Sequence, residues 1–354
     1  MLIVGHREVR NLLDGHDKEV LELVAEAYRL HDEGRTALPH SVFLRFPEED
    51  RNRIIGLPAY LGGDHAVAGM KWIASFPGNV AYGTERASAS IVLNSMADGR
   101  PEAFIEASVI SARRTGASAA LAAGLFTEDP VGMGLVGLGP INLEVLRFCA
   151  ARLPSLREAL VYDLDRGRAE AFADLAGSVV PGVEVRVADD AAQALSAYGL
   201  VSLATTAGTP HMDLSGCRED ATVLHVSLRD LTVEAVLGAQ NIVDDTHHVC
   251  RERTSLHLAE QRTGGREFVD AEIGALLRGG SAFRREPGRR VVFSPFGLGV
   301  LDLALARWVR DRAGVEGVGV RVEGFLPGPG PGPDQEPQSR TRSEPESEQA
   351  TAAV

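Results

Sequence analysis

Residues 132–142 read Gly-Met-Gly-Leu-Val-Gly-Leu-Gly-Pro-Ile-Asn. Met133 to Val136 supplies a short apolar run of the kind that forms a buried strand. Gly137 and Gly139 then make a turn, and Leu143 to Leu153 continues with helical spacing. Strand, glycine turn and helix in this order build a phosphate cradle. The first glycine allows the tight turn and the second lets backbone amides approach a pyrophosphate. The helix N-terminus then presents unpaired N–H groups and a positive dipole end. Asn142 stands where the fingerprint usually has its third glycine, which weakens the motif taken alone.

The surrounding sequence restores it. Leu160-Val161-Tyr162 reads as a second strand and ends at Asp163, a carboxylate placed to accept hydrogen bonds from an adenosine ribose. That acid would repel a 2′-phosphate and favours NAD over NADP, although Arg166 and Arg168 follow closely. Leu200 to Leu203 reads as a later strand with Thr205 at its C-terminal end. From about 130 to 295 strand and helix patterns alternate, which predicts a parallel sheet in an α/β fold. The earlier stretch mixes a helix over Val20–His31 with strands over Ser41–Phe46, Arg53–Tyr60 and Ala66–Ile73. An Ala/Ser-rich helix is expected over Ala103–Ala123, and another over Leu301–Arg312. From Leu326 onward Pro, Gly, Ser and Glu dominate and no apolar period survives, so 326–354 reads as a disordered tail.

Composition narrows the partners. A net charge of -13 opposes phosphate backbones and anionic lipids, so nucleic acid and membrane are poor partners. The three cysteines, Cys149, Cys217 and Cys250, have no disulfide or metal spacing, which suits a cytoplasmic protein with no metal site. His247-His248 lacks a third ligand. Trp72 and Trp308 read as core residues.

Several segments together carry a family resemblance: VFLRF (42–46), GMKWIASFPGN (69–79), ERASASIVLN (85–94), ISARRTGASAALAA (110–123), GLVGLGPIN (134–142), VYDLD (161–165), HVSLRD (225–230) and FSPFGLGVLDLA (293–304). Over nearly its full length, tail excepted, the chain resembles the ornithine cyclodeaminase/mu-crystallin family, whose members also replace that third glycine. The resemblance implies a Rossmann-type, doubly wound parallel sheet over 126–295. It would be inserted in a split α+β domain, 1–125 plus 296–325, that binds substrate and forms a homodimer. It also implies an NAD-dependent oxidoreductase acting on a CH–NH group. The nearest branch makes 2,3-diaminopropionate by oxidative cleavage of a conjugate with glutamate; the alternatives are an ammonia-releasing ornithine or lysine cyclodeaminase and a related imine or amino-acid dehydrogenase.

Roles transfer residue by residue as implied by that resemblance. Arg45 and Lys71 would hold the amino-acid carboxylate. Arg114 and Thr115 would meet the cofactor phosphates, Gly137, Gly139, Pro140 and Ile141 would cradle the pyrophosphate, and Asp163 would hold the ribose. Thr205, His225 and Val226 would line the nicotinamide side. Asp230 would be the general acid/base, with Lys71 assisting, and Phe296 and Gly297 would close the pocket. Cyclodeaminases carry a carboxylate where this chain has Arg53, and a lysine where it has Glu234. Both departures point away from ornithine.

The residues make chemical sense on their own terms. A small amino-acid substrate with several carboxylates needs arginine forks, and Arg45, Arg53, Arg86 and Arg114 are the candidates. Surface ion pairs are the competing reading for each. Lys71, flanked by Met70, Trp72 and Ile73, is expected in an apolar setting that would lower its pKa, unless it only snorkels from a strand. Asp230 follows a strand over Thr222–Ser227. Its competing role is the N-cap of a helix from Val233.

Overall fold

The computed structural model describes residues 1–328, so all but the first three residues of the stretch read as a tail lie outside it. Two sheets organise the described residues. The first runs Val320–Arg321, Leu2–Val4, Pro101–Glu106, Ala87–Asn94, Val67–Ser75, Glu49–Leu61 and Thr36–Ala37, with Val42–Phe46 also paired to Glu49–Leu61. Its pairings are antiparallel except between Leu2–Val4 and Pro101–Glu106.

The second sheet is parallel throughout, as the alternating pattern predicts. Its order is Glu184–Val187, Glu158–Tyr162, Gly132–Val136, Leu200–Leu203, Thr222–His225, Val291–Ser294, Gln240–Val243 and Val269–Glu272. The order reverses between Gly132–Val136 and Leu200–Leu203. At such a switch point the connections leave to opposite faces and open a crevice at the carboxyl ends of the strands. Gly137 and Thr205 both lie there.

One expected helix starts later than its composition suggests. Pro101–Glu106 is a strand, and the helix occupies Ser108–Phe126. The period decides it: Ala103 and Ile105 are fully buried while Phe104 between them is exposed, an alternation of two. The helix crosses Pro140–Arg152 closely, because a Cβ on Gly116 would lie 2.6 Å from the Glu144 carbonyl. This crossing ties the helix carrying Arg114 to the helix that opens at the glycine turn.

Helices cover one face of the first sheet, and the long helix Gly299–Glu316 packs against its central strands. The opposite face is apolar and open. Val42, Gly56 and Trp72 stand in register across it, as do Pro58, Met70, Val92 and Phe104. Trp72 is therefore not a core residue but a half-exposed one on this face.

Candidate active site

The helix Pro140–Arg152 begins immediately after the glycine turn, with Pro140 in its first turn, where a missing N–H costs nothing. Gly137 has φ +84°, and a Cβ there would lie 2.7 Å from the Ala204 carbonyl. A Cβ on Gly139 would meet nothing, so the space above the helix N-terminus is open. Asn142 explains its own presence. Its buried amide donates to the carbonyls of Val136 (3.1 Å) and Gly137 (2.7 Å), and it accepts from Ser202 Oγ at 2.6 Å. A side chain pins the turn from inside where the usual glycine would only permit close packing. Asp163 ends its strand as expected, and its carboxylate accepts from the amides of Leu138 (2.8 Å) and Asp165 (3.1 Å). Open amides, a pinned turn and an acid beside them fit a dinucleotide. Ile141 is half-buried at this opening and Pro140 is exposed.

Asp230 is fully buried just beyond the strand Thr222–His225. Thr205 Oγ1 donates to one carboxylate oxygen and Ser227 Oγ to the other. His225 Nε2 lies 3.3 Å from the Asp230 amide and 3.5 Å from its carboxylate, and His225 Nδ1 meets Ser294 Oγ at 3.0 Å. Burial pushes the Asp230 pKa up, but the His225, Ser227 and Thr205 contacts outweigh it, leaving the carboxyl below its usual range. Thr232, not Asp230, caps the helix Val233–Gly238, so capping does not account for the acid. Thr205 and His225 thus form the setting of Asp230. The Val226 amide is tied to the Leu203 carbonyl at 2.9 Å.

Lys71 lies on the covered face of the first sheet. Met70 and Trp72 point to the other side, so its sequence neighbours do not define its surroundings. Its Nζ donates to Asp302 Oδ2 at 2.7 Å and to Ser111 Oγ at 3.4 Å. Arg114 Nε donates to Asp302 Oδ1 at 3.2 Å. Desolvation pulls the Lys71 pKa down to about 8, with Asp302 opposing and Arg114 adding to the fall. Gly297 joins this group: its φ is +94°, and a Cβ there would lie 2.7 Å from Arg114 Nη1. The Phe296 and Gly297 amides both donate to Asp244, at 2.9 and 2.7 Å, which fixes the loop. Thr115 is buried with its hydroxyl turned back onto the Ser111 carbonyl at 2.7 Å.

Arg45, Arg53 and Arg86 gather elsewhere on the same face. Arg45 pairs in register with Arg53, and Arg53 with Ser75. Arg86 Nη1 donates to Ser75 Oγ at 3.2 Å, and Arg45 Nη2 to Glu252 at 2.5 Å. Glu234 stands exposed on the surface and pairs with Arg262.

Sequence reading passed over Asp302, Asp244, Ser227 and Ser294. Asp302 had a signal: it is a lone acid inside the apolar helical run Gly299–Ala306.

A Rossmann-type sheet with a buried, ionised carboxylate beside its switch point, and a second sheet whose buried lysine shares an acid with an arginine of the helix Ser108–Phe126, define the class of α/β protein. The pattern of the Ornithine cyclodeaminase/mu-crystallin family matches residues 6–317, and the chain belongs to that family. It is 26% identical over 326 residues to the N-((2S)-2-amino-2-carboxyethyl)-L-glutamate dehydrogenase of Staphylococcus aureus, covering 90% of this chain and 97% of that protein. The Thermococcus litoralis Delta(1)-pyrroline-2-carboxylate reductase, solved in complex with NADH and L-proline, superposes with a TM-score of 0.85 at 25% identity, covering 91% of this chain and 100% of that one. An archaeal alanine dehydrogenase dimer with bound NAD gives 0.82 at 26%, covering 92% and 99%.

Proposed function

We infer that this chain is an NAD-dependent oxidoreductase acting on the CH–NH group of an amino-acid conjugate. The substrate we assign is N-(2-amino-2-carboxyethyl)-L-glutamate, cleaved to L-2,3-diaminopropionate and 2-oxoglutarate for siderophore or antibiotic precursors. The observation that carries this reading is the gathering of Arg45, Arg53 and Arg86 on the sheet face that also bears Lys71. Several carboxylates suit such a place. The side-chain ammonium of ornithine or lysine would be repelled by it.

Residues 126–295 would hold the cofactor and 1–125 with 296–325 the substrate. Gly137, Gly139, Pro140 and Ile141 would take the pyrophosphate, Asp163 the ribose, and Thr205, His225 and Val226 the nicotinamide side, with Arg114 and Thr115 near the phosphates. NAD+ held there would supply the hydride acceptor for the glutamate Cα. Lys71, held by Asp302, would grip the carboxylate next to that carbon. Asp230 would take a proton from the water that attacks the resulting protonated imine and return it to the departing nitrogen as the C–N bond breaks, the hydroxyl proton leaving to water as the ketone forms. Phe296 and Gly297 would limit water at the pocket. The test is absorbance at 340 nm with purified protein, NAD+ and the conjugate; no rise sinks the assignment.

Lys71 sets a pH expectation. Below about 8 it is a cation and can hold a carboxylate. As pH rises through 8 the grip weakens, so kcat/KM should fall along a limb near that pH; a profile flat from pH 7 to 9 would count against the role. The same depressed pKa acts oppositely on stability. The unfolded chain binds the extra proton between about 8 and 10.5, so this contribution rises with pH over that window.

The open face of the first sheet is read as the homodimer interface. Val42 is 64% exposed, Leu44 46%, Trp72 41%, Phe104 40% and Met70 38%, all on one side. Monomers seldom leave so continuous an apolar surface to water. Trp72→Glu should weaken association at least ~30-fold, the loss typical of a buried aromatic anchor. Light scattering after size exclusion reads it; a variant that stays dimeric at low micromolar concentration refutes this interface.

A further inference from the structure

Arg229 was passed over in sequence because the acid beside it drew attention. In the fold it extends from the turn after Thr222–His225 towards the arginines of the other sheet. Its Nη2 donates to the Glu252 carbonyl at 2.8 Å, while the Glu252 carboxylate takes Arg45. Glu252 and Arg253 are successive non-glycine residues with φ of 54° and 57°, and in that conformation Glu252 faces both arginines. Arg229, Arg86 and Arg45 are near enough to Arg53 that, after burial, their charges lower its pKa. Among the described residues Arg53 Nε is buried with no hydrogen-bond partner. Among the described residues the cluster gathers four guanidinium groups around the Glu252 carboxylate, with Asp230 and Arg253 also acting on Arg229, in a chain of net charge -13. Guanidinium groups do not gather half-buried without an anion to hold them.

Register locates the cluster relative to the catalytic group. Lys71 and Ser75 are on one strand and point to the same face, so at about 3.3 Å per residue they are about 13 Å apart. A simple amino acid held at Lys71 would end short of Arg53. A conjugate with further carboxylates would extend towards it.

We propose that Arg229, with Arg53 and Arg86, forms a second carboxylate subsite that recognises a substrate carboxylate remote from the carbon being oxidised. The inference rests on the reaction assigned above and adds a specificity residue supplied by the parallel-sheet side. Arg229 adjoins Asp230 in the chain, so recognition of the remote carboxylate and placement of the acid/base share one turn. Glu252 supplies the carboxylate that the cluster holds before substrate arrives.

The experiment compares the full-length protein with Arg229→Gln and Arg53→Gln, after thermal melts show both folded. Substrates are the full conjugate, its γ-amide and its analogue lacking the diaminopropionate carboxylate. Each variant should raise KM for the full conjugate about 30-fold, the scale of a charge-assisted pair. The penalty should vanish on whichever analogue lacks the recognised carboxylate, which identifies its source. Arg229→Lys should recover only part, because the planar fork is lost. A KM change under 3-fold in both variants, or an equal penalty on all three compounds, overturns the subsite. If the wild-type protein does not turn over the conjugate, the reaction assignment has failed, and calorimetry with glutarate decides the subsite alone. At least 10-fold weaker glutarate binding in Arg229→Gln supports it; equal binding, or none by the wild-type protein, refutes it.

Discussion

Asp302→Ala is expected to destabilise the protein by about 3–5 kcal/mol, the range for removing one partner from a buried ion pair. Asp302 has no solvent exposure and Lys71 is 2% exposed. The single carboxylate meets Lys71 Nζ at 2.7 Å and Arg114 Nε at 3.2 Å, so its removal strands two cations at once. The helix Gly299–Glu316 would then face the central strands of the first sheet across an unneutralised charge. Asp302→Asn keeps the shape and one acceptor but loses the charge, and should cost less. Replacing the acid together with its nearer cation, as Lys71→Met with Asp302→Leu, leaves only Arg114 stranded and should regain part of the stability while abolishing turnover. Urea unfolding of the four proteins checks this. If Asp302→Ala costs under 1 kcal/mol, the pair does not anchor the helix. If the double replacement stays as unstable as Asp302→Ala, the stranded Lys71 charge is not the source of the cost, and Arg114 or packing carries it.

Asp302 also shows where sequence reading reaches its limit. The glycine turn, the strand before it, the helix after it and Asp163 are all local in sequence, and each was legible because its conformation follows from neighbouring residues. The parallel sheet followed from alternation. The helix boundary near Ser108 was misread because Ala suits a helix while the period of Pro101–Glu106 obeys the sheet. Trp72 and Lys71 show the same limit from another side. Adjacent strand residues point to opposite faces, so Met70 and Trp72 lie on the open face and the real partner of Lys71 is 231 residues away. The arginines could be named as candidates from composition, but their assembly depends on register and on Arg229 reaching over from the second sheet. No single segment encodes that meeting.

Asp230→Asn should lower kcat for the conjugate by about 10²–10⁴-fold while leaving NAD binding nearly unchanged, as expected for loss of a positioned general base. The two effects separate because the glycine turn and Asp163 hold the dinucleotide site without any contact from the Asp230 carboxylate among the described residues. Asn keeps the side-chain shape and can still accept from Thr205 or Ser227. It cannot take up a proton from water, while its NH2 can donate to the hydroxyl oxygen it faces. The net lowering of the Asp230 pKa means that the base is already ionised across neutral pH. Its own titration should leave no acid limb near pH 6, and any limb there belongs to another group. Steady-state rates at 340 nm and cofactor titration by fluorescence read the two halves. Activity within 10-fold of the parent would move the base elsewhere. His225, whose Nε2 lies 3.5 Å from the same carboxylate, would be the first place to look.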